Sequence, residues 1–210
     1  NCIMKKQSGQ DRSITTNWKT ATQLIRGGTH RTDQGETSEA MFLTSGFAYD
    51  CAEVAEARFK GEDNGYTYSR LSNPSVAMFE ERMALLEGAE AARATASGMA
   101  AMTAALLCQL HAGDHVVAAR ALFGSCRWLF ETLLPRFGVE TTLIDGRNVS
   151  AWQQAIKGNT KLFFLETPAN PTLDIVDIPA VSKIAHAHGI KVIVDNVFAT
   201  PILQKPLELG

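Results

Sequence analysis

Cysteine is scarce and scattered: Cys2, Cys51, Cys108 and Cys126 form no C-x-x-C pair in 210 residues. That spacing excludes a zinc ribbon or a disulfide frame and suits a reducing, cytoplasmic setting. Neither sign of charge is in excess. The chain has 20 Lys and Arg against 22 Asp and Glu, a net charge of −2, and no basic block. Nucleic acid and anionic membrane surfaces are therefore not expected partners. No apolar run approaches the roughly 20 residues that cross a bilayer. The glycine-rich loops of nucleotide folds are missing as well. Gly27-Gly28 belongs to no G-x-G-x-x-G, and no G-K-[ST] or G-x-S-x-G occurs. Dinucleotide, nucleotide and serine-hydrolase chemistry lose ground accordingly. The five histidines do not cluster; His186 and His188, two apart on an expected helix, face different sides. No metal is assigned.

What is present is alternation. With 45% hydrophobic residues the chain can bury one sizeable core. Apolar segments at 91–95, 115–119, 139–144, 161–166 and 191–195 read as strands. Between them, 75–86, 98–110, 125–137, 150–156 and 179–188 read as helices. Pro74 suits a helix start, and Gly88, Gly113 and Gly189 suit helix ends. Unbroken Val/Ile-rich strands between helices imply an α/β fold, a mostly parallel sheet with helices on both faces. Cys108 falls in an Ala/Leu helix and reads as core; Cys126 reads as packing near Phe123. Residues 21–73 show weak periodicity and read as an extended segment packing on another surface, such as another subunit. Residues 1–20 are polar and read as a mobile arm without a secretory or transit pattern. Residue 1 is Asn, and Met4 is a candidate start.

Four short motifs carry the chemistry. Asp195 ends the apolar run Lys191-Val192-Ile193-Val194 and precedes Asn196. A carboxylate at the C-terminal tip of a parallel strand lies where open α/β sheets bind ligands, and it can hold a proton on a heterocyclic nitrogen. Ser97-Gly98-Met99-Ala100-Ala101 opens an Ala/Leu/Met helix, whose first N–H groups and positive dipole end make a phosphate cradle. Tyr68 and Arg70 share one side of an extended segment and offer a phenol and a guanidinium to the same anion. Glu166-Thr167-Pro168-Ala169-Asn170-Pro171 leaves the apolar strand end as a proline-fixed loop with the Asn170 amide free. Each has a plain structural reading: a strand-end turn, an N-cap, a surface Arg and ordinary turn chemistry.

The order of these motifs resembles the cysteine/methionine-metabolism family of pyridoxal-phosphate enzymes, over roughly residues 21–210. Gly35-Glu36-Thr37-Ser38-Glu39-Ala40, Ala57-Arg58-Phe59-Lys60-Gly61 and Leu122-Phe123-Gly124-Ser125-Cys126 resemble the branch that acts on O-succinylhomoserine. The resemblance implies the large domain of a type I pyridoxal-phosphate transferase fold, truncated. Residues 1–73 would form an N-terminal arm and intersubunit segment. Residues 74–210 would form a cofactor-binding domain incomplete at its C-terminus, with the small C-terminal domain absent. Ser97, Gly98 and Met99 would bind the cofactor phosphate. Tyr68 and Arg70 would complete that site from a neighbouring subunit of a homo-oligomer, a dimer of dimers. Asp195 would pair with the ring nitrogen, Asn170 would sit near the phenolic oxygen, and Phe123 would stack on the ring. Many family members have Tyr where this chain has Phe123; Phe there also occurs in the succinylhomoserine branch. The Schiff-base lysine is expected beyond Gly210, and Lys205 falls in the loop before it, so this chain alone is expected to be inactive. The implied reaction is γ-replacement on O-succinylhomoserine by sulfide or a thiol, giving homocysteine. A γ-lyase or cystathionine γ-synthase activity is the alternative within the family, and a non-catalytic binding module the alternative outside it.

Overall fold

The computed structural model describes residues 17–210. Cys2, Met4 and most of the expected mobile arm lie outside the described residues. The chain divides into two compact units at Ala94/Thr95.

Among its described residues the first unit contains three helices: α1 (Thr20–Arg26), α2 (Ala52–Lys60) and α3 (Pro74–Glu87). The expectation of an extended segment over 21–73 thus misses two short helices. The longest, α3, begins where the sequence indicates. The Asn73 side chain accepts from Ser75 N, Pro74 occupies the first turn, and Gly88 closes the helix at φ 66°. Asn73 also donates to Phe42 O and Ser69 Oγ, each at 2.9 Å, and so pins two stretches of irregular chain to the helix start. Gly28 sits against α3 at φ +71°, where a Cβ would lie 2.5 Å from Met78 O. Only glycine fits that approach. The expected strand at 91–95 does not form. It has no ladder partner, and Ala94 N donates to Glu80 Oε1 on α3 at 2.8 Å instead.

The second unit is a parallel α/β sandwich. Helix α4 (Gly98–Leu107) leads to β1 (His115–Ala119). Then comes α5 (Gly124–Trp128), running on through a π turn (Leu129–Leu133) and a last α turn (Leu134–Arg136). Strand β2 (Glu140–Ile144), α6 (Val149–Gln154), β3 (Thr160–Glu166), α7 (Ile178–Ala187) and β4 (Lys191–Asp195) follow, and a short α8 (Thr200–Leu203) comes after the sheet. The wide turn has a cause. Pro135 cannot donate and its ring crowds the carbonyl four residues back. The ladder shifts there, and Leu134 N reaches Leu129 O five residues back.

The strand order is β2-β1-β3-β4, all parallel. Right-handed crossovers with this order put α5 on one face and α6 and α7 on the other. Accordingly α4 packs with α5, and α6 with α7. Covered on both sides, β1 and β3 are almost wholly buried, with Val116, Val117, Phe163 and Phe164 at 0% exposure. Phe130 meets Phe164 at 4.9 Å between ring centroids, and Trp152 meets Phe163 at 5.0 Å. The Trp152 indole donates to Gly146 O at 3.0 Å, so its polar edge is satisfied inside the core. At the N-terminal end of the strands, buried His115 joins three of them. One ring nitrogen pairs with Thr160 Oγ1 at 2.8 Å and the other with Thr142 Oγ1 at 2.9 Å. Burial, helped by nearby Lys157, lowers its pKa below the ordinary histidine value. A neutral ring suits a pocket in which one nitrogen donates and the other accepts.

Candidate active site

The C-terminal strand ends hold the candidate site. β1 and β3 are neighbours, but the chain leaves β1 toward β2 and leaves β3 toward β4. The loops therefore part at this point and open a crevice, the usual ligand position in such sheets. Phe123 follows β1, Asn170 follows β3, and Asp195 ends β4, so topology gathers three of the expected residues at one edge. Phe123 is 44% exposed and available for stacking. Asp195 is half-buried, and its Oδ1 accepts from Val197 N at 3.1 Å, so it caps the turn as well. Beyond it, Asn196 Nδ2 donates to Gln204 O, and Gln204 Nε2 donates to Thr167 O and Asn196 Oδ1. These bonds knit the loop after β4 to the loop after β3.

Glu166 sits at the centre of the crevice and was given no role of its own in the sequence reading. It pairs in register with Asp195 across β3 and β4. Its side chain is buried, with Oε2 accepting from Phe123 N at 2.7 Å and Oε1 from Asn170 N at 2.8 Å. Burial raises its pKa, the two amide donors oppose that, and the Asp195 charge raises it further. The signal was available in the sequence: a carboxylate closing the apolar run Leu162-Phe163-Phe164-Leu165 needs partners, and loop N–H groups are the nearest.

The expected anion cradle falls at the start of α4. Ser97 Oγ accepts from Ala100 N at 3.1 Å, a standard N-cap, and the first helical bond runs from Ala101 N to Ser97 O. The N–H groups of Gly98 and Met99 precede that bond and are available to an anion. A Cβ built on Gly98 meets nothing within 4 Å, so the approach is open. Met99 Sδ contacts Cys126 Sγ at 3.8 Å, tying this turn to α5. Cys126 itself is buried, and its thiol is pushed up to about 11 by burial, with Asp195 and Glu166 adding to the effect. It is a packing group and no nucleophile near neutral pH.

Tyr68 and Arg70 belong to the first unit. Tyr68 bridges to Gly46 in antiparallel fashion, and the Arg70 guanidinium lies 5.3 Å over the Tyr68 ring centroid. Both side chains are exposed, but the segment is not extended as expected: Ser69 and Arg70 lie in a turn closed by Leu71 N and Ser72 N on Tyr68 O, and the turn, not strand alternation, brings the guanidinium over the ring. The donor set fits pyridoxal phosphate: an open helix start for a phosphate, an exposed aromatic residue for a ring, and an amide and a carboxylate at adjoining strand ends for its polar edge.

Comparison with known proteins agrees. A family model described as Cys/Met metabolism PLP-dependent enzyme matches residues 21–210. O-succinylhomoserine sulfhydrylase from Mycobacterium tuberculosis is 54% identical over 190 residues, covering 90% of this chain and 47% of that protein. L-methionine gamma-lyase from Porphyromonas gingivalis is 46% identical over 192 residues, covering 90% of this chain and 48% of that protein. The crystal structure of a putative O-acetylhomoserine (thiol)-lyase from Campylobacter jejuni, containing pyridoxyl-lysine monophosphate, superposes with TM-score 0.88 and 32% identity over 92% of this chain and 48% of that one. The chain spans about half the length of the curated relatives it matches. With a family model matching nearly all its length and relatives this similar, the chain belongs to the pyridoxal-phosphate-dependent enzymes of cysteine and methionine metabolism.

Proposed function

We propose that the full-length protein catalyses γ-replacement on O-succinylhomoserine, with sulfide or a thiol as the incoming nucleophile, to give homocysteine. The observation that carries this reading is the gathering of Phe123, Asn170 and Asp195 at the switch point of the sheet. Pyridoxal phosphate, when bound, supplies an electron sink for charge developing on the substrate's carbons. Asp195 accepts a hydrogen bond from the ring nitrogen and favours its protonated form, because a close carboxylate raises a cation's pKa by about 1–3 units. Phe123 stacks on the ring face. Asn170 donates toward the ring oxygen. Ser97, Gly98 and Met99 hold the phosphate at the start of α4, and Tyr68 and Arg70 complete its shell from the partner subunit of a homo-oligomer. Phe123 has no hydroxyl, so it orients the ring without moving a proton. This favours the succinylhomoserine branch, as does the sulfhydrylase named above.

A γ-lyase reading stands second, favoured by the similarity to L-methionine gamma-lyase. Purified full-length protein, loaded with the cofactor, separates the two. Sulfide-dependent homocysteine from O-succinylhomoserine is expected. Equal release of 2-oxobutyrate without sulfide would overturn replacement in favour of elimination.

A further inference from the structure

We propose that Glu166 is a positioning residue of this site: one buried carboxylate that holds the Phe123 loop and the Asn170 loop in a fixed register beside Asp195. The proposal rests on the reading that this edge of the sheet binds pyridoxal phosphate. Neither Phe123 nor Asn170 lies in a helix or strand that would fix it. Both backbone N–H groups instead end on the same side chain, at 2.7 and 2.8 Å, one on each oxygen. An ionised carboxylate only accepts, so it satisfies both donors at once. Glutamine cannot, because its amide nitrogen would face one N–H as a second donor. The anchor is rigid. Glu166 ends β3, which lies between β1 and β4, and its residue pair across β3 and β4 is Asp195. A carboxylate 1% exposed beside a second carboxylate is costly to bury without return. The return is geometric. The surface that stacks on the ring, the amide for its oxygen and the partner of its nitrogen are referred to one strand end, as preorganised sites require.

The test uses the full-length protein carrying Glu166→Gln, with Glu131→Gln, an exposed carboxylate in the π turn, as control. Hydrogen exchange followed by mass spectrometry should show residues 120–124 and 168–173 exchanging at least about tenfold faster together, while β1 keeps its protection. At equal cofactor loading, the visible circular dichroism of the bound cofactor should fall to half or less, because an achiral ring owes that signal to fixed chiral surroundings. The control should change neither. Wild-type exchange in either segment, or an unchanged dichroism, would overturn the proposal. If Glu166→Gln does not fold, residue-resolved exchange on the unmodified protein decides: unprotected Phe123 and Asn170 amides would overturn it, and protected ones support it. If the unmodified protein binds no pyridoxal phosphate, the proposed function fails, while the exchange result still decides the clamp.

Discussion

Asp195 has two jobs that a substitution separates. It caps the turn through Val197 N and, in the proposed function, holds the ring nitrogen. Asp195→Ala in the full-length protein should lower kcat/KM by at least about tenfold to a thousandfold, from a cation stabilisation of roughly 1–3 pKa units at about 1.4 kcal/mol each. Far-ultraviolet circular dichroism should stay unchanged; a loss below threefold would leave Asp195 as a turn cap only. Cys126 gives a second residue-scale prediction. With its thiol held near 11 and buried, it should resist iodoacetamide at pH 7.5 and label only after unfolding, while Cys108 reacts: contrary to the core position expected from its Ala/Leu surroundings, Cys108 caps the helix end and is exposed. Labelling of native Cys126 at the Cys108 rate, read by peptide mapping, would contradict this. The strand end at Asp195 and the helix start after Ser97 were legible because such termini advertise themselves in sequence. The links between them were not. Glu166 touches residues 43 positions away and 4 positions away in one contact pair, and no pattern of periodicity records a side chain meeting a distant N–H.

Elements follow their local chemistry where a partner exists. Strand β1 runs over the residues its apolar run marks out, and so does β4. The expected strand at 91–95, Ala-Ala-Arg-Ala-Thr, has small residues and an exposed Arg93 in place of Val and Ile, and among the described residues it has no ladder partner; a strand without a partner is only extended chain. The long helix expected over 125–137 carries a π turn because of Pro135, which the residue count alone did not reveal. His115 ties β1 to β2 and β3 and makes their stability pH-dependent. Its folded pKa is lowered, so the unfolded chain takes up the proton first. Stability is therefore full above the ordinary histidine value of 6.5 and is lost as pH falls below it toward the lowered folded value. Denaturant unfolding midpoints should drop between pH 7.5 and 5.5, and His115→Gln should flatten that slope. An equal slope in the variant would assign the effect elsewhere. Asn73→Ala should cost about 1–2 kcal/mol in the same assay, the upper part of the cap range, because it also frees Phe42 O and Ser69 Oγ.

At the scale of the whole molecule, the class of fold was readable from alternation, but the strand order was not. Crossover handedness restricts the choices without selecting β2-β1-β3-β4. Assembly gives the matching prediction. If Tyr68 and Arg70 serve a neighbour's site, Arg70→Ala and Asp195→Ala proteins should each be nearly inactive. Subunits mixed and reassembled at full length should then regain part of the activity, since some sites pair an intact Arg70 with an intact Asp195. No recovery despite subunit exchange proven by mass spectrometry would place both residues in one chain's own site.

The open side of β4 adds a matter of timing. Among the described residues β4 has a neighbour only in β3, and its Val192, Ile193 and Val194 are half-buried. During synthesis, at about 5–20 residues per second, a Val/Ile strand with one unpaired side stays open until something pairs with it. Such an edge is a template for a second nascent chain. Its exposure sets an interval in which crowding and chaperone supply decide between maturation and clumping. The yield of protein from cells should therefore fall more steeply with growth temperature than the melting of the finished molecule would suggest.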